Sequence, residues 1–558
     1  MKRSTAAALL AILLLAVLMR LLPLLRSLYW GSDFGEYYAL TRSLAEAGTL
    51  PTDYRGWGVT YPYFPGLYAI TGTFAASGMP ADAAVSLVVP LVAGLAVLPT
   101  FLLAARVARD DLAGLVAAAF LAVAMPHVYA TSHVTPASLA DVLLVGALLM
   151  FVGLRRSPKL FPPLLLAGLA IVVTHHLAAY VLVLAAASAL LLRAALDAKL
   201  TVRAVRLELA FLALLLAATL ALWTTYASSL WSIIAREASV PAYLLAAGAA
   251  ALVLLVPLVI LLRRRTAWRF RPRARSARGA AVAAGVAATT AFAIVGVATV
   301  VPVAGTTIRL GLEAPLLFAP FFAFLGFAAA GRKAMDFSRE GTDVTAWFLA
   351  LVLSIVFGAL AAPTVLIPYR HIEYVMIPLA VMVGAGWRWL TMSEGARGQI
   401  AAGGVAILLV AGTAASALPT REAIVGFEEG ISPRTVEAAL WVREHGDGLV
   451  AGDHRLSTVL FGFGGVDATW DRAGDLWHTE DVNATLAAMD GVYVVDRVTR
   501  VAWVVLDADL RAGVQTSPFA PASPLLPDEA AKFATTPFQK TFDSGFAQVY
   551  LVNWGLAP

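Results

Sequence analysis

Long hydrophobic runs, separated by short polar stretches, fill the first 419 residues of the chain. Residues 5–28 are almost all Ala, Leu, Ile, Val and Met, and a helix of that length crosses a hydrocarbon core of roughly 30 Å. The pattern predicts thirteen membrane-spanning helices, near residues 5–28, 83–105, 112–126, 136–154, 160–174, 177–194, 207–227, 241–262, 279–303, 313–331, 344–362, 372–390 and 400–418. Residues 66–79 form either an interfacial helix or a further span.

Lysine and arginine between the hydrophobic runs set the expected orientation. They gather in seven clusters, at residues 2–3, 106–109, 155–159, 193–206, 263–278, 332–339 and 388–397. Short basic loops stay on the cytoplasmic side of a membrane, so we predict a multi-pass protein of the cell membrane with a cytoplasmic amino terminus and an external carboxyl terminus.

The composition agrees with membrane insertion. Hydrophobic residues make up 60% of the chain, charged residues make up 14% and the mean hydropathy is +0.79, whereas soluble domains carry about 25% charged residues. The chain contains no cysteine, which excludes disulfides, thiolate metal sites and a cysteine nucleophile.

Beyond residue 419 the pattern becomes that of a soluble domain, with 10 Lys/Arg and 19 Asp/Glu in residues 420–558. The expected elements are a helix starting at Ser432-Pro433, strands at 491–496 and 501–506, a helix at 527–534 and a closing hairpin at 538–552. We therefore predict a polytopic α-helical membrane domain at residues 1–419 and an extracytoplasmic soluble α/β domain at residues 420–558.

An acidic and aromatic segment, residues 30–38, follows the first hydrophobic helix. It places Asp33 and Glu36 at the membrane edge, in front of a polar loop that we predict at residues 39–63. Carboxylates in that position cost solvation energy unless they bind a cation, accept a proton or meet a partner. The segment is therefore the predicted centre of the chemistry. The alternatives are that Asp33 caps a helix and that Glu36 is merely solvated.

The histidines of the membrane region all fall at predicted external helix ends or loops, together with several charged residues. The set is His127, His133, His175, His176, His371, Asp33, Glu36, Asp53, Glu313, Arg309, Arg370 and Glu373. A random scatter would divide these residues between the two sides, so the sequence predicts one external polar cavity. The alternative is that the histidines are amphipathic anchors at the interface.

Three short stretches resemble the GT-C superfamily of membrane glycosyltransferases. They are Asp33 with Glu36 and the Tyr37-Tyr38 pair, the aromatic loop at residues 61–66, and residues 368–371 before a late helix. Thirteen spans with an external α/β tail are most similar to the oligosaccharyltransferase catalytic subunits, in a style typical of archaea. The resemblance implies a polyprenyl-phosphate-linked sugar donor, and a lipid, glycan or protein acceptor at the external face where cell-surface glycans are built.

The chain departs from the oligosaccharyltransferases in two places. It contains no Trp-Trp-Asp-Tyr-Gly string, and the nearest fragment is residues 467–471. The predicted loop at residues 126–136, where the family carries a second acidic motif, has no acid. The acceptor is therefore left open.

Sugar transfer from a lipid phosphate needs a base for the acceptor and a cation for the leaving phosphate. The resemblance implies Asp33 as the base, supported by Glu36. Arg370 with His371 is the predicted donor-phosphate site, because a guanidinium holds phosphate with paired donors. The alternative for Arg370 is an arginine that extends to lipid headgroups. Tyr37 and Tyr61 are predicted to bind substrate or to assist a metal site.

The adjacent pair His175 and His176 is a further candidate for the site. On a helix only one of the two faces the cavity. With Asp33 or Glu36, these imidazoles offer nitrogen and oxygen ligands for a divalent cation such as Mg²⁺ or Mn²⁺. The spacing matches no tight metal-binding motif, so the alternative is that the histidines bind phosphate or sugar directly.

Transport is the competing function, as a transporter or flippase of a lipid-linked or polar substrate. Transporters place ionisable groups near the membrane midplane and show inverted repeats, whereas the predicted helix centres are nearly free of charge and we find no repeat. The basic stretch at residues 263–275 lies beside a membrane helix, where such stretches attract anionic lipid headgroups. Membrane lipids are therefore expected partners, and nucleic acid is not.

Overall fold

The structure is a computed structural model. It describes residues 2–31, 33–197, 199–229, 254–261, 301–303, 306–308, 314–335, 339–361, 370–392, 396–417, 424–425, 430–470, 472, 476–494, 497–516 and 522–556. Most of the predicted span at 241–262, and all of Arg309, Glu313, Pro368 and Tyr369, lie outside the described residues.

The helices of the membrane region follow the hydrophobic runs. They are α1 (Arg3–Leu21), α2 (Phe34–Ala47), α3 (Gly66–Ala76), α4 (Ala81–Ala108, with a π-helical turn at Ala84–Val88), α5 (Asp111–Val123), α6 (Met125–Ser132), α7 (Pro136–Leu154), α8 (Phe161–Val172), α9 (His176–Leu196), α10 (Arg206–Ala221), α11 (Ala314–Ala334), α12 (Arg339–Ala361), α13 (His371–Thr391) and α14 (Ala396–Ala415). Residues 254–261 are helical as well.

Among the described residues, seven helices are long and apolar enough to cross a membrane, and eight if α5 and α6, which meet at 57°, form one span. The protein is therefore a multi-pass membrane protein. The count of thirteen spans stays a prediction. The predicted interfacial or spanning segment at 66–79 is the 11-residue α3, which is too short to cross.

The carboxyl-terminal region carries α15 (Pro433–His445), α16 (His454–Val459), α17 (Val482–Met489) and α18 (Pro527–Ala531). The strands of the whole chain are β1 (Tyr29–Trp30), β2 (Val301–Val303), β3 (Thr306–Ile308), β4 (Ile424–Val425), β5 (Gly430–Ile431), β6 (Leu449–Ala451), β7 (Val492–Val494), β8 (Arg497–Thr499), β9 (Val501–Asp507), β10 (Phe538–Asp543) and β11 (Ala547–Val552).

Local sequence signals account for much of the carboxyl-terminal region. Ser432 caps α15 by accepting a hydrogen bond from the Arg434 amide, and proline stands at the first helical position, as predicted. The sheet has the order β10-β11-β9-β6, in which β6 runs parallel to β9 and the other pairs are antiparallel. The predicted hairpin and the strand at 501–506 are confirmed. The predicted strand at 491–496 pairs with β8 in a separate ribbon.

Two predictions of element type are wrong. The segment 39–63 begins as helix, because Tyr37, Leu40 and Leu44 bury one face at helical spacing and Gly48 ends α2 in the left-handed conformation, with φ 72°. The last residues of the predicted span at 279–303 form β2, which pairs with β3. Its Val-Pro-Val sequence favours an extended chain, since proline lacks the amide hydrogen that a helix interior requires.

The carboxyl-terminal region is joined to the segment that follows α1. β1 pairs antiparallel with β5, and Ser27 Oγ donates a hydrogen bond to the Ile431 carbonyl at 2.7 Å. One hydrophobic cluster contains residues of both parts, such as Phe34 and Val459. The two regions therefore form a continuous body at this junction, whereas the predicted boundary between residues 419 and 420 stays a prediction.

Backbone packing at this junction depends on two glycines. α2 lies against α16 and the π-helical turn Leu460–Gly464 that continues it. A Cβ atom on Gly35 would collide with the Thr458 carbonyl oxygen, and one on Gly462 would collide with the Gly35 carbonyl. Phe463 fills the adjacent space and stacks on Phe34. The absence of a side chain at Gly35 and Gly462 therefore lets the two helices approach each other closely.

Two buried networks of charged side chains lie at opposite ends of α7. At one end, Arg20 donates to His127 Nδ1 at 2.6 Å, and His127 Nε2 lies 2.8 Å from Asp141 Oδ2. At the other end, Arg193 of α9 pairs with Asp343 of α12. Buried charges are costly unless paired, so these contacts fix how the helices pack.

Candidate functional site

Asp33 stands immediately before α2, at the junction between the two regions. Tyr61 Oη donates to Asp33 Oδ2 at 2.9 Å, and Tyr37 Oη lies 3.4 Å from the same oxygen. Burial, followed by the charge of Asp33, raises the pKa of Tyr61 well above its ordinary value, so this phenol stays protonated and can donate. The side chain of Asp33 is 18% exposed. The carboxylate is therefore held firmly while remaining accessible.

The other oxygen of Asp33 faces the carboxyl-terminal region. His454, the first residue of α16, places Nε2 3.7 Å from Asp33 Oδ1. Its ring is fully buried and packs edge-on against Trp57, with ring centres 5.0 Å apart. The ring of Trp470 lies tilted against it, at 6.2 Å. Both parts of the chain therefore contribute side chains around one carboxylate.

The neighbours of Asp33 decide its protonation. Burial alone would raise the pKa of Asp33, but the imidazole of His454, the hydroxyl of Tyr61 and the charge of Arg370 outweigh burial and lower this pKa below its ordinary value. Asp33 is therefore ionised at neutral pH and can orient or accept a proton.

Glu36 lies one turn further along α2 and is fully buried. Its Oε1 accepts hydrogen bonds from Tyr54 Oη at 2.6 Å and from the Gly58 amide at 3.1 Å. Burial and the neighbouring charge of Asp33 raise the pKa of Glu36 to about 7. Glu36 thus anchors the loop that carries Trp57. This geometry fits the predicted role of Glu36 as a support for Asp33 better than direct contact with a substrate.

Arg370 directly precedes α13 and is exposed. Its positive charge acts on Asp33 and Tyr37 in the segment after α1. The same charge acts on His175 and His176 at the start of α9. Arg370 therefore lies within electrostatic range of Asp33 and of the histidine pair.

The histidine pair lies beside the loop that carries Tyr61. His175 Nδ1 accepts a hydrogen bond from the Ala178 amide at 3.4 Å and caps α9. The His176 ring lies 5.5 Å from the ring of Phe64. The Gly66 amide also donates to the Val173 carbonyl at 3.1 Å, which ties this loop to the turn before the histidines.

The other histidines of the predicted cavity have different neighbours. His371 is buried and its Nε2 lies 3.1 Å from Ser354 Oγ, between α12 and α13. His127 belongs to the buried network with Arg20. His133 lies against Trp30, with ring centres 5.7 Å apart. The structure therefore gathers only part of the predicted set around Asp33.

A divalent cation has no complete ligand set in the part of the chain that the structure describes, because no group of three or more His, Asp or Glu side chains there is placed to hold one. Asp33 and Glu36 offer carboxylate oxygens, but Tyr61 and Tyr54 already donate to them. The divalent cation that the sequence predicts stays a prediction, and no step of the sugar transfer depends on it.

His454 and Trp57 are not among the site residues that the sequence predicts. The composition of the tail predicts a separate soluble domain, so the predicted cavity contains residues of the membrane region only. A usable signal was present: His454 follows Gly-Asp at the end of strand β6 and opens a helix capped by Asp453. Loops after strands are common positions for functional side chains.

No protein-family model matches the sequence, and no curated protein matches it. Among solved structures, the chain is similar to the archaeal oligosaccharyltransferase AglB from Archaeoglobus fulgidus in complex with an inhibitory peptide and a dolichol-phosphate, with a TM-score of 0.56, 14% identity, and coverage of 100% of this chain and 75% of that one. For the apo form of the Archaeoglobus fulgidus oligosaccharyltransferase, the TM-score is 0.54 and the identity 13%, with the same coverage.

The chain is also similar to ArnT from Cupriavidus metallidurans in the apo state, with a TM-score of 0.48, 13% identity, and coverage of 99% of this chain and 98% of that one. The two oligosaccharyltransferase comparisons establish the fold. The described part of the chain shares the fold of these oligosaccharyltransferases, which is the GT-C fold that the resemblance implies.

Proposed function

We propose that this protein is a membrane glycosyltransferase that moves a sugar from a polyprenyl-phosphate-linked donor to a lipid, glycan or protein acceptor at the external face of the membrane. One observation carries the proposal: the Asp33 carboxylate, oriented by Tyr61 and ionised at neutral pH, lies within electrostatic range of Arg370. A proton acceptor and a phosphate-binding cation are the two groups that this reaction needs.

In the proposed reaction, an acceptor oxygen attacks the anomeric carbon of the sugar and its proton passes to Asp33. The bond between that carbon and the phosphate oxygen breaks, and its electron pair stays on the phosphate. Arg370 stabilises the resulting charge with paired hydrogen bonds. The products are the glycosylated acceptor and the lipid phosphate, and Asp33 returns its proton to water.

The likeness to AglB supports the donor class. That structure is a complex with a dolichol-phosphate, which is a polyprenyl lipid phosphate of the kind proposed here as the leaving group. An external location for the site follows from the positive-inside orientation, which places the end of α1 and the start of α13 outside the cell.

Transport is the weaker proposal. In the described helices of the membrane region, every Asp, Glu, Lys and Arg lies within about two turns of a helix end. Asp141, for example, is the sixth residue of α7, and Arg193 is the fourth from the end of α9. Carriers that couple substrates to ions place such groups near the midplane, so the charge distribution favours a site at the membrane surface.

The test combines deletion with complementation. In cells lacking the protein, mass spectrometry is expected to show accumulation of a lipid-phosphate-linked sugar and loss of the matching surface glycan. The wild-type chain should restore the glycan, and Asp33→Asn should not, because removal of a general base costs a factor of roughly 10² to 10⁴. Asp53→Asn, which changes an exposed carboxylate in the loop that follows α2, is the matched control and should restore it fully. Unchanged glycans after deletion, or restoration by Asp33→Asn at wild-type protein levels, would refute the proposal.

A further inference from the structure

His454 belongs to the carboxyl-terminal region, yet its ring borders the carboxylate at the centre of the proposed site. The two oxygens of Asp33 have different neighbours: Tyr61 donates to Oδ2, and His454 faces Oδ1 at 3.7 Å. The aromatic rings of Trp57 and Trp470 pack around the imidazole. Its orientation toward Asp33 is therefore set by packing from both regions of the chain.

We propose that His454 is a positioning residue of this site, because its imidazole is packed between Trp57 and Trp470 and borders Oδ1 of Asp33. Correct orientation of the base would then depend on docking of the carboxyl-terminal region. The proposal rests on the proposed function, because it assigns His454 to the same site. Its effect on Asp33, however, is a property of the protein without substrate.

Packing supplies the dependence on docking. α16 begins at His454, and its backbone lies against α2, the helix that Asp33 precedes. Asp453 fixes the start of α16, because its side chain accepts hydrogen bonds from the Leu456 amide at 2.9 Å and the Gln515 amide at 3.0 Å. A displacement of the carboxyl-terminal region would therefore move the imidazole away from the carboxylate.

Other charged and titratable groups face Asp33 from each neighbouring element. Tyr37 and Glu36 face it from α2, Tyr61 from the following loop and Arg370 from the start of α13. The two tyrosines stay protonated, and the charge of Asp33 raises the pKa of Glu36. The imidazole of His454 and the guanidinium of Arg370 both favour the ionised form of Asp33, and they differ in origin. Loss of Arg370 should impair donor binding as well, whereas loss of His454 should act through Asp33 alone.

The experiment uses the purified full-length protein in lipid nanodiscs, with His454→Asn and His454→Gln. Infrared spectroscopy follows protonation of the Asp33 carboxyl during a pH titration, with the Asp33→Asn spectrum subtracted. Both variants should raise the Asp33 midpoint by about one pH unit or more, since a nearby opposite charge lowers a carboxyl pKa by roughly one to three units. With a polyprenyl-phosphate-linked sugar, the acid limb of the turnover profile should shift equally and the donor KM should stay within about threefold of wild type.

Two controls separate positioning from general loosening of the fold. Phe533→Leu makes a cavity in the core of the carboxyl-terminal region, and His445→Ala removes an exposed imidazole from the same region. Both should leave the Asp33 titration unchanged.

An unshifted Asp33 midpoint in both His454 variants, or an equal shift in Phe533→Leu, would overturn the assignment. If wild-type protein fails to consume any lipid-linked donor, the proposed function fails, while the infrared titration still decides the role of His454.

Discussion

Tyr61→Phe tests most directly whether Asp33 depends on its hydrogen bonds. The substitution removes the hydroxyl that donates to Asp33 Oδ2 at 2.9 Å and leaves the ring in place. A hydrogen bond to an ionised group contributes about 1.5 to 3 kcal/mol, and one pKa unit corresponds to about 1.4 kcal/mol. The pKa of Asp33 should therefore rise by roughly one to two units from a value below the ordinary one. On the acid limb of the profile, at pH values below the pKa of Asp33, kcat/KM should fall by about 10- to 100-fold, while near neutral pH it should change little.

Two further tyrosines calibrate this prediction. Tyr37 Oη lies 3.4 Å from the same oxygen of Asp33, at the long limit for a hydrogen bond, so Tyr37→Phe should have an effect below about threefold. Tyr54 donates instead to Glu36, so Tyr54→Phe should leave the acid limb in place.

The assay for all three variants measures release of lipid phosphate from a polyprenyl-phosphate-linked sugar between about pH 3 and pH 8, so that it includes the acid limb of wild type. A wild-type acid limb in Tyr61→Phe, or equal shifts in Tyr61→Phe and Tyr37→Phe, would show that the hydrogen-bond geometry does not control Asp33.

Three other outcomes are expected. Arg370→Ala should lower kcat/KM for the donor by about 10- to 100-fold. Arg370→Lys should lower it by less, because lysine keeps the charge and loses only the paired planar donors. Arg388→Ala, at the opposite end of α13, should leave the donor KM unchanged, and normal donor kinetics in both Arg370 variants would contradict the phosphate role. The folded-state pKa of Glu36 is raised to about 7, so the stability that Glu36 contributes is present below its unfolded pKa and is lost as pH rises through about 7. Between pH 4.5 and pH 8, the free energy of unfolding from denaturant titrations should therefore fall by about 3 kcal/mol more in wild type than in Glu36→Gln. Parallel pH curves for the two proteins would rule out the raised pKa. Chelation tests the divalent cation: the sequence predicts that turnover stops in EDTA and returns with Mg²⁺ or Mn²⁺, and unchanged turnover would leave the histidine pair as hydrogen-bonding groups.

The sequence alone determined the local elements, because their signals lie within a few residues. Apolar runs set the positions of the membrane helices, and the Ser-Pro pair set the start of α15. A continuous apolar run rich in valine marks β9, and short apolar and aromatic stretches mark the final hairpin. The same kind of signal was available for α2, where Leu40 and Leu44 repeat at helical spacing, and it was outweighed by the polar residues between them.

The surroundings of Asp33 were decided only by the tertiary structure. The sequence placed this carboxylate at the end of the first hydrophobic helix, but its partners come from distant positions: Tyr61 lies 28 residues away, and His454 belongs to a region predicted as a separate domain. Their approach depends on backbone contact through Gly35 and Gly462. The direction in which His371 points is likewise set by its contact with Ser354 of α12. Periodicity along a chain indicates which face of an element is apolar. The element that covers that face, and the polar groups that it brings, depend on packing between segments that are far apart in the sequence.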